Sequence, residues 1–271
     1  MASNKRSSSG GIIAAALVSL FVAWVVYEFK NPLAFGYFAF GYINELQSTL
    51  SKDGKESLGT AIGSYTVALE LGPENPEYYH RRGKVHLELS HYDEALTDFT
   101  KAIELKPALA KILLPELAKI HCSRGYQYDI EHEYDKALEE YDRAIQSDAN
   151  HAHAYYLRSW TFLQLSEYDL AFTDMNQAIA KDPENAEFYR ARAVLWRNVF
   201  EYDKSIEDCS KALHLDPRLN LTYCSRGLTY AAMGEKEKAL RDFEAYLERE
   251  PEGHCATLAR EKISVLRSQT H

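Results

Sequence analysis

The sequence predicts an all-α solenoid of stacked helical hairpins, preceded by one transmembrane helix. Three observations predict it. A small residue returns every 34 residues, at Ala61, Ala95, Ala171, Ser205 and Ala239, with Ala137 joining after one offset. Around each of these marks apolar residues recur at helical spacing, which gives each helix a stripe to bury. Near the start of the chain, Ile12 to Tyr27 forms a run of sixteen residues without a charge. A period of this size marks a stack in which no unit can bury its stripe alone, so neighbours must pack together. Such a chain is expected to bind a partner and not to transform a substrate.

The repeated unit has a definite content. One copy reads Tyr78-Tyr79-His80-Arg81-Arg82-Gly83, then Tyr92-Asp93-Glu94-Ala95-Leu96, Asp98-Phe99, Ala102-Ile103 and Pro107. Another reads Tyr155-Tyr156-Leu157-Arg158-Ser159, Tyr168-Asp169-Leu170-Ala171-Phe172, Asp174-Met175, Ala178-Ile179 and Pro183. Each unit resembles a tetratricopeptide repeat, a helix-turn-helix, here of a subtype with Arg-Gly in helix A. The resemblance implies a right-handed superhelix. The family's fourth position is Tyr79, His121, Tyr155, Tyr189 and Tyr223, and its eighth is Gly83, Gly125, Ser159, Ala193 and Gly227. Its closing proline is Pro107, Pro183, Pro217 and Pro251, with Ala149 breaking the rule once. Small residues let two helices approach where their axes cross. Proline cannot continue helix B and biases the preceding residue toward extended geometry.

Along the chain the expected elements begin with a short basic tail at 1–9 and a transmembrane helix or signal anchor at 10–29. A juxtamembrane aromatic segment follows at 30–41, then a degenerate repeat at 42–75 whose second half (Ala61, Tyr65, Ala68, Pro73) fits while its first half lacks the aromatic and small positions. Clear repeats follow at 76–109, 118–151, 152–185, 186–219 and 220–253, and residues 254–271 are expected to form a capping helix over the exposed end. The insertion at 110–117 is expected to extend the next helix, with Pro115 at a kink or a new start. The alternative there is a ledge with Ile112, Leu113 and Leu114 exposed for a partner.

The N-terminal run approaches the roughly 20 residues that a spanning helix needs. Trp24, Tyr27 and Phe29 suit an interface. A permanent single-pass anchor is the reading adopted; a cleaved signal peptide and a buried soluble helix are the alternatives. Lys5 and Arg6 precede the run and Lys30 alone follows it before Lys52, which favours repeats on the non-cytoplasmic side. The aromatic residues Phe35, Tyr37, Phe38, Phe40 and Tyr42 are too short a run to span, and either lie at the membrane surface or pack under the first repeat. Cys122, Cys209, Cys224 and Cys255 show no framework spacing, and free buried thiols are expected.

A net charge of −9 argues against nucleic acid as a partner. The chain carries no phosphate-binding glycine loop and no hydrolase or zinc-protease motif, so no enzyme activity, metal, cofactor or small-molecule substrate is expected. His151 and His153 are read as a solvated loop, and Glu139-Glu140 as solvent-facing residues of a helix B. A second periodicity concerns charge. Arg82, Arg124, Arg158, Arg192 and Arg226 stand at the seventh position, and Asp98, Glu140, Asp174, Asp208 and Asp242 at the twenty-third. Two opposite charges in step, one per helix, predict a ladder of ion pairs tying helix A to helix B.

In the family, selected positions of helix A line a concave groove. By that resemblance the groove residues here are Arg81 and Lys84 in the first clear repeat, Tyr126 in the second, and Tyr156 and Trp160 in the third. Arg190, Val194 and Arg197 follow in the fourth and Leu228 in the fifth. The middle is apolar, so either a ligand peptide or tight superhelical coiling must cover it. The expected function is a membrane-anchored scaffold or assembly factor holding a partly apolar peptide or helix of a partner protein. The alternative is a structural subunit attached through its transmembrane helix and aromatic segment. Chaperone-binding members grip a C-terminal carboxylate with Lys, Asn, Asn, Lys and Arg; the matching positions here are His80, Lys84, Ser123, His153 and Leu157, which do not fit.

Overall fold

The computed structural model describes residues 31–49 and 54–268. Among them the regular structure is entirely helical, as the periodicity requires. The helices are α1 (Pro32–Ser48), α2 (Gly54–Leu71), α3 (Pro76–Glu88), α4 (Tyr92–Leu105), α5 (Ala110–Ile130), α6 (Tyr134–Ser147) and α7 (Ala152–Gln164). They continue as α8 (Tyr168–Lys181), α9 (Ala186–Asn198), α10 (Tyr202–Leu215), α11 (Leu221–Ala232), α12 (Lys236–Arg249) and α13 (Ala256–Ser268). The expected transmembrane helix falls on residues 10–29, outside the described residues. Among the described residues no helix is long and apolar enough to cross a membrane.

Each hairpin is built by the same local chemistry. Helix A ends where Ser90, His132, Ser166 and Phe200 adopt positive φ of 60–63°, and Gly234 takes φ 77°. This left-handed residue turns the chain into helix B at one register in every repeat. Helix B ends in extended residues, Lys106 (φ −141°, ψ 88°), Asp182 (−140°, 80°) and Asp216 (−134°, 99°), each before a proline. Asp148 takes φ −141° and ψ 98° before Ala149, so the repeat imposes this bend even without the ring. Where the helices cross, glycine admits an aromatic ring. A Cβ on Gly83 would stand 2.7 Å from the Phe99 ring, and one on Gly125 2.6 Å from Tyr141. In the two repeats with Ser159 and Ala193 at that position, the residue sixteen further on is Met175 or Cys209 instead of a ring. Volume added on one helix is removed from the other, as a close-packed interior demands.

The described residues fall into two compact units that divide between Ile120 and His121. In the first, α1 pairs with α2 and α3 with α4. Here the structure departs from the expected boundary at 41/42, because one helix runs through it. Ala34 and Phe35 are buried, and Phe38 packs on Tyr65 (5.7 Å between centroids) and Tyr78 (5.0 Å). A Cβ on Gly41 would stand 2.8 Å from the Tyr65 ring, the same crossing contact as in the other hairpins. Leu33, Tyr37, Phe40, Ile43 and Leu46 remain exposed on this helix. The insertion joins α5 without a break, with Pro115 inside the helix. Leu113 and Leu117 are buried against Ala95, Phe99 and Ala102, so only Ile112 of the expected ledge is well exposed, at 58%.

In the second unit, hairpins α7–α8, α9–α10 and α11–α12 follow one another and α13 packs on the last. Ala256, Ala259, Ile263 and Leu266 of α13 join Phe243 and Tyr246 of α12 in one apolar cluster. The expectation of free thiols holds for the buried Cys122 and Cys209, whose thiols burial pushes up to about 12. It fails for the other pair. Cys224 on α11 and Cys255, just before α13, form a disulfide with Cα atoms 6.6 Å apart. The turn that carries Cys255 folds back so that its N–H donates to the Tyr246 hydroxyl (2.9 Å), a proximity no sequence spacing reveals.

The predicted charge ladder is present at all five rungs. Arg82, Arg158, Arg192 and Arg226 each make paired hydrogen bonds of 2.7–2.9 Å to Asp98, Asp174, Asp208 and Asp242. The Arg124–Glu140 rung is looser, at 3.7 Å, and the same carboxylate is shared with Arg143, which donates to Oε1 at 2.6 Å, and with His121, whose Nδ1 meets Oε2 at 2.8 Å. Glu140 is therefore buried, contrary to the solvent-facing expectation, while Glu139 stays exposed. The ladder also reaches backward. Arg82 donates to Thr66 (3.1 Å), Arg192 to Asn176 (2.8 Å) and Arg158 to Asp142, each sixteen residues earlier on the preceding helix B. One guanidinium thus ties three helices, which its rigid fork of five donors allows and an ammonium would not.

Candidate functional site

The second unit holds a cleft of about 370 Å³ lined by Tyr126, Asp129, Ile130, Tyr156, Leu157, Trp160, Thr161 and Gln164, with His132 and Tyr134 at its edge. Helices α5 and α7 supply its two walls, and the left-handed turn after α5 supplies the edge. Tyr126 and Ile130 are one helical turn apart on α5, and both stand open at 55% and 57% exposure. On the other wall Tyr156 and Trp160 meet edge to face, 6.4 Å between centroids. Tyr156 is fixed from behind by Phe188 (5.2 Å) and stacks on His153 (5.3 Å). Its hydroxyl donates to Glu187 at 3.2 Å, and burial followed by that carboxylate raises its pKa to about 12.

The polar floor of the cleft is Asp129. The Tyr141 hydroxyl donates to it at 2.6 Å and the Thr161 hydroxyl at 2.9 Å. Burial raises the carboxyl above its usual range against the opposing pull of those two donors. The arrangement binds the two walls together and leaves an apolar, aromatic slot above. Within the described residues no group of three or more His, Cys, Asp or Glu side chains is placed to hold a metal ion.

Three of the nine groove residues named from the sequence, Tyr126, Tyr156 and Trp160, share this cleft. Arg190 lies beside it, its guanidinium donating to Glu187 (2.8 Å from Nε). Val194 is half-buried further along α9, and Arg197 donates to the Ser225 carbonyl at 3.3 Å. Leu228 packs against the apolar cluster under the cap instead of opening to solvent. Arg81 and Lys84 belong to the first unit. Arg81 pairs with Glu77 (3.0 Å) and Glu45 (3.5 Å) and lies over the Tyr42 ring, so it is engaged within the fold. Lys84 lines a separate cavity of about 430 Å³ with His80, Leu87, Glu88, Phe99, Ile112, Leu113 and Glu116. His132 and Tyr134 were not expected at a site. Their signal was the register, since His132 stands at the left-handed turn position that points out of each hairpin.

Models of the tetratricopeptide repeat match residues 76–109, 131–182, 161–219 and 222–252. Hsp70-Hsp90 organizing protein 2 of Arabidopsis thaliana is 29% identical over 99 residues, 35% of this chain and 17% of that protein. Protein SGT1 homolog of Oryza sativa subsp. japonica is 44% identical over 64 residues, 24% of this chain and 17% of that protein. The chain thus spans less than a fifth of the length of either relative. Among solved structures, YrrB, described as a TPR protein with an unusual peptide-binding site, aligns with TM-score 0.53 and 19% identity over 73% of this chain and 97% of its own. That likeness concerns the fold. With the hairpin chemistry repeated at one register throughout, these matches place the chain in the tetratricopeptide-repeat family.

Proposed function

We propose that this chain is a membrane-anchored scaffold or assembly factor, of the Arg-Gly helix A subtype, that holds a partly apolar peptide or helix of a partner protein. The observation that carries the reading is the aromatic cleft. Tyr126 and Ile130 are left open to solvent opposite a fixed Tyr156–Trp160 wall. Tyr and Trp are enriched among the residues that carry binding energy at interfaces. The uncharged run from Ile12 to Tyr27 supports the anchor. The flanking Lys5 and Arg6 support repeats on the non-cytoplasmic side, and the Cys224–Cys255 disulfide agrees with an oxidising compartment there.

The second reading, a structural subunit attached through its N-terminal region, is favoured by the exposed apolar face of α1, Leu33, Tyr37, Phe40 and Ile43. A photo-crosslinking amino acid placed at Tyr126 or at Phe40 of the full chain, in its native membrane, separates the two. A protein adduct from position 126 that Trp160→Ala abolishes supports the cleft. An adduct from position 40 alone overturns it in favour of the subunit. Some relatives are chaperone-organising proteins, but His80, Lys84, Ser123, His153 and Leu157 lack the carboxylate-clamp side chains, so the ligand proposed is not a chaperone tail held in that manner.

A further inference from the structure

Helix α1 turns its faces the opposite way from its neighbours. Helix α4 sends Asp93, Glu94, Lys101 and Glu104 outward, as a helix packed on one side and wet on the other does. Helix α1 has a single charged residue, Glu45, and keeps it inside. That carboxylate accepts from the Tyr65 hydroxyl at 2.8 Å and lies 3.5 Å from the Arg81 guanidinium. The outward face is Leu33, Tyr37, Phe40 and Ile43, at helical spacing and each 43–69% exposed. On its flank the Asn44 amide is turned back to donate to the Phe40 carbonyl (2.8 Å).

Two observations point to what covers this face. The first is its place in the chain. Helix α1 starts afresh at Pro32, after an extended Asn31 (φ −136°, ψ 95°). The Asn31 side chain accepts from the Ala34 N–H (3.2 Å) and donates to the Leu71 carbonyl (2.9 Å), which fixes that start on α2. The uncharged run ends at Tyr27, six residues before Leu33. Six residues reach at most about 20 Å, so a run that spans the bilayer delivers the start of α1 to the membrane surface. The second is the chemistry of the face. A protein interface rings its apolar centre with hydrogen-bonding groups, whereas among the exposed side chains of α1 only Tyr37 and Gln47 carry any. Tyrosine is itself favoured at headgroup level. The 17 residues of α1 span about 26 Å, short of the roughly 30 Å hydrocarbon core, and Glu45 is bonded into the fold. The helix therefore suits lying along a membrane, not crossing it.

We propose that α1 lies in the membrane–water interface, with Leu33, Tyr37, Phe40 and Ile43 inserted among the lipids; this rests on the anchor reading of residues 12–27. Such a face sinks about 5–10 Å into the boundary between headgroups and acyl chains. The other face stays packed in the first unit through Ala34, Phe38 and Gly41. One helix thus joins the first unit to the lipid on a rigid element, so that unit is held against the bilayer in one orientation. With no Lys or Arg in α1 and a net charge of −9 in the chain, the attachment draws on apolar burial and needs no anionic lipid.

The test uses the full chain in phosphatidylcholine vesicles. Leu20→Cys, Phe40→Cys, Ile43→Cys and Lys101→Cys are spin-labelled one at a time, and the wild type, whose free Cys122 and Cys209 are buried, gives the background. Collisions with oxygen, which concentrates in lipid, are compared with collisions with a water-soluble nickel chelate. Labels at 40 and 43 should show an oxygen-to-nickel ratio at least fivefold above that at 101, on solvent-exposed α4, and below that at 20. Adding Phe40→Glu should lower the ratio at 43 at least threefold. If 20 reads as lipid while 40 and 43 match 101, the anchor stands and the α1 assignment falls. If labels at 40 and 43 are shielded from both reagents, protein covers the face and the assignment falls in favour of a subunit contact or a second copy. If 20 reads as water, the anchor reading falls, and α1 survives it only where 40 and 43 still read as lipid.

Discussion

Replacing Arg158 with alanine is the sharpest test of how this fold is held. The guanidinium donates to Asp174 at 2.7 and 2.8 Å and also reaches Asp142, and it lies over the Tyr155 and Phe162 rings at 5.7 and 5.9 Å. Burial works against its charge, yet the hydrogen bonds and charges of Asp174 and Asp142 more than offset this and raise its basicity. Asp174 keeps only 5% of its side chain exposed, whereas Arg158 keeps 20%. Orphaning a buried carboxylate costs about 3–5 kcal/mol. Solvent reaching the space left by Arg158 reduces this, so we expect Arg158→Ala to cost about 2–3 kcal/mol. At a urea slope of about 2 kcal/mol per molar, that lowers the unfolding midpoint by about 1 M. A double-mutant cycle with Asp174→Ala should show coupling of about 1–2 kcal/mol. Arg226→Ala should cost less than Arg158→Ala. Its register partner on the preceding helix is Ser210, whose hydroxyl donates instead to the Ile206 carbonyl (2.7 Å). A loss below about 0.5 kcal/mol for Arg158→Ala, within the scatter of surface substitutions, refutes the ladder as a structural tie.

Four further outcomes follow from particular positions. Phe200 is 75% exposed at φ 62°, so Phe200→Gly should raise stability by about 0.5–1 kcal/mol by relieving the left-handed strain; a loss in thermal denaturation sinks this. Gly83→Ala drives a Cβ into the Phe99 ring and should cost about 1–3 kcal/mol, checked by urea unfolding against Gly59→Ala, where a Cβ meets nothing within 4 Å. Burial depresses the pKa of His86 below its usual 6.5, so the unfolded chain takes up a proton first as pH falls; the stability this group contributes is present above pH 6.5 and is lost below it, and His86→Gln should flatten that part of the pH profile. Reduction of Cys224–Cys255, which are 31 residues apart, should destabilise the C-terminal end by about 2–4 kcal/mol, with no such effect of reductant in Cys224→Ser.

The repeat itself was legible because its physics is local. The small residue opposite the ring, the left-handed turn and the charge pair recur at fixed offsets, so each copy checks the others. The first helix of the first hairpin was misplaced mainly because α1 and α2, at 17 and 18 residues, are longer than α3 and α4, at 13 and 14. Gly41 and Tyr65 are 24 residues apart, whereas Gly83 and Phe99 are separated by 16. Tyr37 and Gly41 repeat the spacing of Tyr79 and Gly83, and that pair was the available signal. The site was less legible. Helix A positions indicate which side chains share a face, but not which charges are already satisfied. Arg190 and Arg197 look alike in sequence and differ because Glu187 stands one turn before the first. The Cys224–Cys255 bridge depends on how the turn before α13 folds back, which no periodicity encodes.

The backward reach of the ladder bears on how this chain comes apart. Nearest-neighbour ties set the order in which a stack opens. Arg158 and Arg192 each fasten their hairpin to the one before it, while Arg226 bonds Asp242 of its own hairpin, and Ser210 bonds the Ile206 carbonyl of its own helix. The junction between α10 and α11 is held by smaller links, Ser205 with Thr229 at 2.9 Å and Arg197 with the Ser225 carbonyl. Beyond that junction the disulfide and the Tyr246 hydroxyl weld α11, α12 and α13 to one another and not to what precedes them. Helices α11–α13 are therefore expected to open as one cross-linked block, their amides exchanging with solvent together in a hydrogen-exchange measurement.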